Sequence, residues 1–513
     1  MFSAKVHRTI YIVLLALLGG TMVTSVWASN LVWVLMGANW LLEGRWREKW
    51  QMAKESRLLQ AFVALYLLLL VGMLWTSNQP AGWSVLQVKL PLLCVPLVVL
   101  TTRPVTGTAR RMTLFVYALA VTMVSLIGLV RWMTIPGLPY RDIVPYISHI
   151  RFALSCCMLI YIAFGEMLGK PWSGRGRQHV LAVVLTVWML AFLLLIRSYT
   201  AFVVLSLVSL AMLLTYYRRW PLIVLWVLLV GGAALAVGIE VHRYYHMVPM
   251  ATEPLRPCTD NGRPYIHAQD GLIENGNYVN NYVCKQELRA EWNLRSRIDY
   301  DSLTENGYSV ESTLIRYLNA LGLTKDSTGV AALSGAQLEA VERGVANPIY
   351  ESGNPVRKMV YTLMLEREFY RHTRAVSGFT MLQRMEMWHA SATVVRDNMW
   401  FGVGTGDAVD ALQQWLVDND SELVGRRMSS HNQYLGLLVA LGIVGFALVM
   451  VAFGRACPAL RRQSPLLVAW LLTIVISMFT EDTLDTLAGI LFCTYFLAYR
   501  DNTCTNTTHC PTA

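Results

Sequence analysis

Charged residues are scarce in this chain of 513 residues: only 15% are Asp, Glu, Lys or Arg, whereas 55% are hydrophobic. Together with a mean hydropathy of +0.42, this excludes an ordinary soluble protein, in which about 25% of the residues are charged. Apolar runs of about 17–25 residues recur along the chain, and this length crosses a bilayer. The sequence therefore predicts an all-α polytopic membrane protein with about 12 transmembrane helices and a large, mainly helical outer loop.

The first apolar run lacks the small-residue cleavage site of a signal peptide, so we expect it to stay as the first transmembrane helix. The next run begins almost at once. With ends uncertain by a few residues, the predicted spans are 8–26, 28–42, 58–76, 88–102, 112–132, 150–169, 178–196, 200–217, 220–239, 432–453, 465–480 and 484–499.

Lys and Arg are absent from three of the predicted outer loops, and this asymmetry gives the predicted orientation. The loops near 27, 77–87 and 481–485 contain neither residue, whereas the loop at 44–57 is rich in both. Because cytoplasmic loops carry the excess of Lys and Arg, the N-terminus is predicted inside and the polar segment outside. The predicted domains are transmembrane helices 1–9 over 1–239, an outer loop domain over 240–430, transmembrane helices 10–12 over 431–499 and a cytoplasmic tail over 500–513.

The nine cysteines are scattered without metal-ligand spacing. Four of them lie in apolar runs, where a thiol serves as a small packing group. Cys258 and Cys284 lie in the long polar segment, and a disulfide between them is left open by the sequence.

The polar segment predicts a small helical domain. Residues 253–310 are rich in Asn, Gly, Asp and Tyr and are predicted to be irregular. Apolar residues recur at helical spacing further on, which predicts helices at 312–322, 335–347, 356–374 and 381–398.

Positive charge on the predicted outer face is sparse, so each such residue is a candidate for function. Arg197 lies between two apolar runs, followed by only three residues that can turn the chain. An arginine near the membrane is costly, about 2.5–3.5 kcal/mol at mid-bilayer, and such residues usually serve a function. The others are Lys89, Arg131, Arg141 and Arg151. The alternative for each is a side chain that reaches to lipid headgroups.

His431 is predicted in the first turn of the tenth span, where Ser429 or Ser430 can cap the helix. Imidazole titrates near neutrality, so a histidine at the outer surface can accept a proton from a substrate. An interfacial histidine bonded to a neighbour is the alternative. Gly442 and Gly445 in the same span are predicted to permit close helix packing.

The segment before this span contains Arg384 and the glycine-rich sequence GVGTGD at 402–407. That sequence lacks a Walker lysine and a preceding strand, so we expect a turn toward the membrane rather than a nucleotide site. Asp418 and Asp420 resemble the metal-binding pair of nucleotide-sugar glycosyltransferases, but an exposed acidic helix end explains them equally well.

Glu481 and Asp482 lie at the outer end of the eleventh span. Acidic residues at a membrane boundary need partners, so we expect them to pair with one of the outer arginines. The sequence leaves open whether this pairing is structural or catalytic.

Several of these motifs together resemble the O-antigen ligase and polymerase superfamily of Gram-negative bacteria. They are the twelve spans with one long outer loop before the tenth, the turn IRSYTAF, the pattern R-x-x-x-W followed by G-V-G-x-G, and HNQYLGLLVALGIVGF. The long-loop segments ENGNYVNNYVCKQELRAEWN and ESTLIRYLNALGLTKD, with SMFTEDTLDTLAGILF, resemble a subgroup whose loop is longer.

The resemblance implies a lipid-linked glycan transferase of the bacterial inner membrane with its active site facing the periplasm. Its substrates would be a glycan on undecaprenyl diphosphate and the lipid A core, with membrane lipids around the protein and no nucleic acid, cofactor or metal. His431 corresponds to the family's essential histidine, Arg197 to the arginine of the short outer turn and Arg384 to the arginine near the loop's end. Lys89, Arg151 and Asn432 are predicted substrate-binding residues from topology alone.

Four functions are weighed. O-antigen ligase is the first, and the polymerase of the same superfamily and a protein O-oligosaccharyltransferase are alternatives, because acceptor choice depends on the outer loop. A transporter is the fourth. Against it, the sequence shows no inverted repeat, no paired broken helices and no charge deep in a span.

Overall fold

The computed structural model describes residues 3–168, 176–245, 255–268, 272–352, 354–373, 376, 380–461 and 464–500, so most of the predicted tail lies outside it. The N-terminal half is a series of helices that short turns connect. They are α1 (Ala4–Thr24), α2 (Val26–Glu43), α3 (Trp46–Glu55), α4 (Arg57–Val71), α5 (Gln79–Leu100), α6 (Gly107–Thr134), α7 (His149–Leu168), α8 (Gly176–Leu195), α9 (Tyr199–Met212) and α10 (Trp220–Tyr245).

After α10 the described residues contain a short hairpin and eleven α-helices, the first eight of which lie in the long polar segment. The hairpin is β1 (Ile273–Glu274) and β2 (Asn277–Tyr278). The eight helices of the polar segment are α11 (Lys285–Arg295), α12 (Val310–Ala320), α13 (Ser327–Ala331), α14 (Gly335–Glu342), α15 (Ile349–Ser352), α16 (Pro355–Thr373), α17 (Thr380–Asp397) and α18 (Ala408–Asp418), and the last three are α19 (Gln433–Arg461), α20 (Pro465–Ser477) and α21 (Leu487–Tyr495).

Each of the 12 predicted spans coincides with a helix in the described residues. Among those residues, seven helices are long and apolar enough to cross a membrane, and four shorter apolar helices accompany them. The all-α class and a multi-pass membrane protein are therefore confirmed. The total of twelve spans and the side on which each loop lies stay predictions.

The prediction of an outer loop at 77–87 is wrong, because residues 79–87 form the start of α5. The side-chain oxygen of Asn78 accepts a hydrogen bond from the backbone N–H of Ala81, and Pro80 lies in the first turn. Both are favourable helix starts, since Asn satisfies an unpaired N–H and Pro needs none. Lys89 therefore lies inside α5 rather than at its mouth.

The chain forms two compact units. Unit 1 comprises Met1–Val224 with Arg384–Ala513, and unit 2 comprises Leu225–Gln383. In unit 1, Tyr117 of α6 stacks on Tyr495 of α21 with the ring centroids 5.9 Å apart, and both rings are buried. Packing of this kind holds the helices whose ends carry the candidate site.

Unit 2 has its own apolar core around the buried Trp292, Tyr300 and Tyr317. The predicted helices at 312–322, 335–347, 356–374 and 381–398 are confirmed as α12, a shorter α14, α16 and α17. The prediction that 253–310 is irregular is wrong in part, because it contains the hairpin and α11. Asn275 and Gly276 both have positive φ, which is the geometry of a two-residue hairpin turn.

The thiols of Cys258 and Cys284 are not joined. Cys258 is exposed and Cys284 is buried, and both are free. The disulfide that the sequence left open is therefore not formed in this structure.

Candidate functional site

A short acidic loop, Thr480–Asp485, connects α20 to α21 and lies at the centre of the candidate site. Two of its three carboxylates are nearly inaccessible: Glu481 is 7% exposed and Asp482 is 5% exposed. A buried carboxylate is unfavourable unless charged or polar groups surround it. Arg384 of α17 and the segment before α19 supply partners for these two carboxylates, whereas α5 and α7 contact Asp485 and the backbone of the loop.

Arg384 of α17 forms an ion pair with Glu481, and the two side chains are 14% and 10% exposed. Burial raises the pKa of Glu481, and the positive charges of Arg384 and Arg151 oppose this rise. Glu481 thus pairs with an arginine, but with Arg384 of α17 rather than with one of the outer arginines that the sequence indicated. This pair places the guanidinium of Arg384 at the acidic loop, where it can also attract an anionic substrate.

Arg151, in the first turn of α7, holds the backbone of the acidic loop. Its guanidinium donates to the carbonyl oxygens of Asp482 at 2.9 Å and Thr483 at 3.3 Å. Gly489 of α21 makes this approach possible, because a Cβ atom there would overlap the Thr483 carbonyl and the Arg151 guanidinium. Arg151 is therefore a structural support of the loop as well as a cation near it.

Lys89 reaches the far end of the same loop. Its ammonium donates to the carbonyl oxygen of Leu484 at 3.0 Å and forms an ion pair with Asp485. The side chain is 9% exposed. The ion pair explains how a lysine is accommodated at a buried position within an apolar helix, because its charge has a partner.

His431 lies beside Asp482. Its backbone N–H donates to Asp482 Oδ2 at 2.8 Å, and its ring Nδ1 lies 3.7 Å from the same oxygen. The imidazole is 31% exposed, so one side of the ring remains open to solvent. A carboxylate at this position can stabilise the positive charge that an imidazole gains when it accepts a proton.

Asp482 also binds the two serines that precede the histidine. Ser429 Oγ donates to it at 2.6 Å and Ser430 Oγ at 3.1 Å. Burial raises the pKa of Asp482 and the nearby Asp485 raises it further, whereas the bond from Ser429 lowers it. The four contacts fix the position of the segment that carries His431.

The predicted serine cap of α19 is wrong. Asn432 is the cap: its Oδ1 accepts from the backbone N–H groups of Tyr434 at 3.0 Å and Leu435 at 3.2 Å. The serine hydroxyls are instead engaged by Asp482. His431 consequently precedes the helix, with φ of 51°, rather than lying in its first turn.

Arg197 is placed apart from this cluster. It is exposed in the turn between α8 and α9, with φ of 49°. Its guanidinium lies 5.9 Å from the ring centroid of Tyr140, and no carboxylate in the described part of the chain forms an ion pair with it. The connection to the acidic loop is indirect, through Thr200 Oγ1, which lies 3.5 Å from Thr480 Oγ1.

The glycine-rich sequence at 402–407 is hydrogen-bonded to α19, the helix that follows His431. The N–H groups of Val403 and Gly404 donate to the carbonyl oxygens of Val439 and Ala440 in α19, at 2.9 and 3.1 Å. Those carbonyls are available because α19 is broken at Gly442, with φ of 63° and ψ of −174°. Gly442 does permit a close approach, as predicted, but the neighbour is the backbone of Trp400 and Gly402 rather than another helix, and the residue also breaks α19. The expectation of a turn rather than a nucleotide cradle fits this docking.

Two contributors escaped the sequence analysis: Asp485, which binds Lys89, and Gln433, whose Oε1 accepts from the N–H of Leu484 at 2.6 Å. The signal for Asp485 was present, since three acids in a turn of six residues are unusual between two apolar spans. For Gln433 the sequence gives no signal. Asp418 and Asp420 are exposed at the end of α18, and the described residues contain no group of His, Cys, Asp and Glu that could hold a metal ion.

The acidic loop is thus contacted by four of the predicted residues, Lys89, Arg151, Arg384 and His431. Asn432 lies next to His431. Arg197 lies apart from the loop, and its connection to it runs through the contact between Thr200 and Thr480.

Residues 343–450 match the family model described as O-antigen ligase. The resemblance seen in the sequence is confirmed over this segment, which contains Arg384, the glycine-rich sequence and His431. Lys89, Arg151, Arg197 and the acidic loop lie outside it. Comparison with curated proteins gives no match.

Proposed function

We propose, on the premise that residues 343–450 form an O-antigen ligase domain, that this protein transfers a polysaccharide from undecaprenyl diphosphate to the lipid A core. The reaction would take place at the periplasmic face of the bacterial inner membrane. The observation that supports it best is the convergence of His431 and Arg384 on the acidic loop at the ends of apolar helices. A lipid-linked substrate needs such a site, because its reactive diphosphate lies at the membrane surface.

The arginines would stabilise the leaving group. A lipid diphosphate is anionic and gains negative charge as the bond to the sugar breaks, and guanidinium groups bind phosphate oxygens through paired hydrogen bonds. Arg197 is exposed and lacks a carboxylate partner among the described residues, so it is suited to the first contact. Arg384 would then exchange Glu481 for phosphate oxygens.

His431 would act as the general base. Its imidazole takes the proton of the acceptor hydroxyl while the hydroxyl oxygen attacks the anomeric carbon opposite the diphosphate. One displacement of this kind inverts the anomeric configuration. Asp482 would stabilise the imidazolium that forms, from 3.7 Å. Lys89 and Arg151 would keep the acidic loop in place, and Asn432 would fix the start of α19.

The test is transfer in proteoliposomes that contain lipid-linked glycan and lipid A core. Replacing His431→Ala should lower the turnover number by about 10²–10⁴-fold, the usual contribution of a general base. His389→Ala is the matched control, since His389 is exposed on α17 and packs edge-to-face against Trp415. Equal activity of both variants would reject the role of His431, and poor folding of His431→Ala alone would assign it to structure.

The acceptor is tested in cells. A deletion strain should make lipid A core without any repeat unit, because a ligase attaches the whole polysaccharide. Core that carries a single repeat would identify a polymerase instead. Transfer in the presence of EDTA examines the proposed independence from metal, and its loss would direct attention to Asp418 and Asp420.

A further inference from the structure

A cavity lies in unit 1, among α6, α7, α9 and α20, with a volume of about 260 Å³. It is at the ends of these helices opposite to the acidic loop. On α7 the site residue Arg151 begins the helix, whereas Gly165 lines this cavity. Fourteen residues separate them, which corresponds to about 21 Å along a helix. Likewise Ser464 begins α20 at the cavity, and α20 ends next to Thr480.

Most of the cavity wall is apolar, and one cation interrupts it. The apolar lining residues are Leu114, Ile162, Phe164, Met212, Leu466 and Ala469. Arg110, in the first turn of α6, also lines it. No carboxylate in the described ranges pairs with Arg110, unlike Lys89 and Arg384 at the other end of the bundle. A guanidinium beside apolar walls and without a counter-ion favours an anionic ligand.

Polar groups near Arg110 add hydrogen-bonding capacity. Ser464 Oγ is buried and makes no hydrogen bond with any described residue; Ser464 is the N-cap residue of α20, but its side chain makes no capping hydrogen bond. The first turn of α20 begins beside it, and a helix N-terminus attracts negative charge. Tyr217 lines the same cavity and is placed there by a π-helical turn, Leu213–Tyr217. Such turns occur in short pieces and often at functional sites.

We propose that this cavity binds one anionic phospholipid. Its phosphate would lie at Arg110, Ser464 and Tyr217, and one acyl chain would follow the apolar wall. The volume of about 260 Å³ exceeds the roughly 150 Å³ of an apolar cavity that admits benzene, so part of a chain fits. Because Lys and Arg are enriched in cytoplasmic loops, this end of the bundle is predicted to be cytoplasmic. Basic pockets between helices on that side of a membrane bind anionic headgroups. The proposal stands independently of the glycan transfer.

Retention of lipid by the purified full chain tests this. The protein is reconstituted in vesicles of phosphatidylcholine with phosphatidylglycerol, extracted in detergent and examined by native mass spectrometry. Wild-type protein should retain about one phosphatidylglycerol. Arg110→Gln should retain about tenfold less, the effect of losing one charge-assisted hydrogen bond. Arg111→Gln is the matched control, because Arg111 is the next residue in α6 but is exposed and does not line the cavity.

A steric variant keeps the test valid if Arg110→Gln folds poorly. A Cβ atom at Gly165 would lie 3.6 Å from Tyr217 Oη, an ordinary contact, so Gly165→Leu can be accommodated while its side chain fills the cavity. It should release the lipid without changing any charge. Retention by both variants, or equal loss from Arg111→Gln, would overturn the proposal.

Three further measurements with other ligands identify what the cavity binds. Equal retention of phosphatidylcholine would reject an anionic headgroup. Thermal stabilisation by inorganic phosphate that depends on Arg110, with no lipid retained, would reassign the cavity to a free anion. Preference for a polyprenyl phosphate over phosphatidylglycerol would likewise overturn the assignment to a phospholipid.

Discussion

At the scale of single residues, the cations of the site differ in whether they form an ion pair with a carboxylate. Arg384 pairs with the buried Glu481, whereas Arg197 is exposed and stacks near Tyr140. These surroundings give the two arginines different tasks in the proposed reaction. Arg197 can contact the substrate directly, whereas Arg384 must first separate from Glu481.

The ion pair between Arg384 and Glu481 yields a prediction that separates structure from catalysis. Arg384→Ala leaves a buried carboxylate without its partner and should cost about 3–5 kcal/mol of stability. Adding Glu481→Gln should restore most of that stability, measured as thermal unfolding in detergent, but no transfer activity. Arg396→Ala is the control: its pair with Asp397 lies on the same helix with side chains 77% and 58% exposed, and it should cost under about 1 kcal/mol. Activity restored in the double variant would limit Arg384 to a structural role.

At the scale of elements, the broken helix α19 depends on one glycine. Gly442 has a φ of 63° and a ψ of −174°, a combination that residues with a Cβ avoid. A Cβ atom there would also overlap the carbonyl group of Trp400. The break exposes the backbone groups to which the glycine-rich sequence binds, so it joins the segment after α17 to the helix that follows His431.

Gly442→Ala should therefore destabilise the protein by at least about 1–3 kcal/mol, the cost of the strained backbone alone, and should reduce transfer. Gly454→Ala is the matched control, because Gly454 lies in the same helix with nothing within 4 Å of its added Cβ atom. It should be neutral or stabilising by up to about 1 kcal/mol. Thermal unfolding compares the two. Equal stability of both variants would show that α19 is not broken at Gly442.

Unit 2 contains a buried lysine whose titration should be visible. Lys325 is 3% exposed and donates to Asn319 Oδ1 at 2.8 Å. Burial lowers the pKa of Lys325 from 10.5 to about 8. Between these values the unfolded chain binds more protons than the folded chain, so stability rises with pH across this window and is constant below it.

The measurement is resistance of the loop helices to proteolysis from pH 7.5 to 10.5. Resistance should rise in the wild-type protein and rise less in Lys325→Met, which has no proton to lose. Lys285→Met, at a lysine 56% exposed, should behave like the wild type. A Lys325→Met profile parallel to that of the wild type would contradict the lowered pKa.

At the scale of the whole molecule, the orientation in the membrane rests on the distribution of Lys and Arg. The helices establish a multi-pass protein, and the side of each loop is a separate question. Cys258 offers a natural reporter because its thiol is free and exposed. The predicted tail contains two further thiols, Cys504 and Cys510.

A membrane-impermeant maleimide should label Cys258 in cells whose outer membrane alone has been opened, and Cys258→Ser should abolish that label. Cys504 and Cys510 should react only after the inner membrane is opened. The opposite pattern would place the loop domain in the cytoplasm, which would be incompatible with transfer to the lipid A core in the periplasm.

The sequence by itself determined the helices and the principal candidates. Apolar runs and the distribution of Lys and Arg are local properties, so the spans and the amphipathic loop helices were recognised without tertiary information. Arg384 and His431 were found by motif, and Glu481 was expected to meet an arginine. Helix starts were less certain: Asn78 and Pro80 extend α5 far beyond its apolar part, and Asn432 rather than a serine caps α19.

Only the tertiary structure decided how these residues combine. The acidic loop meets Lys89, Arg151, Arg384 and His431 across separations of 51 to 396 residues along the chain, and no local pattern specifies such contacts. The break at Gly442 likewise depends on a distant backbone segment that accepts and donates its hydrogen bonds. Buried charges need partners wherever the fold can supply them, and the packing of the helices determines which partners those are.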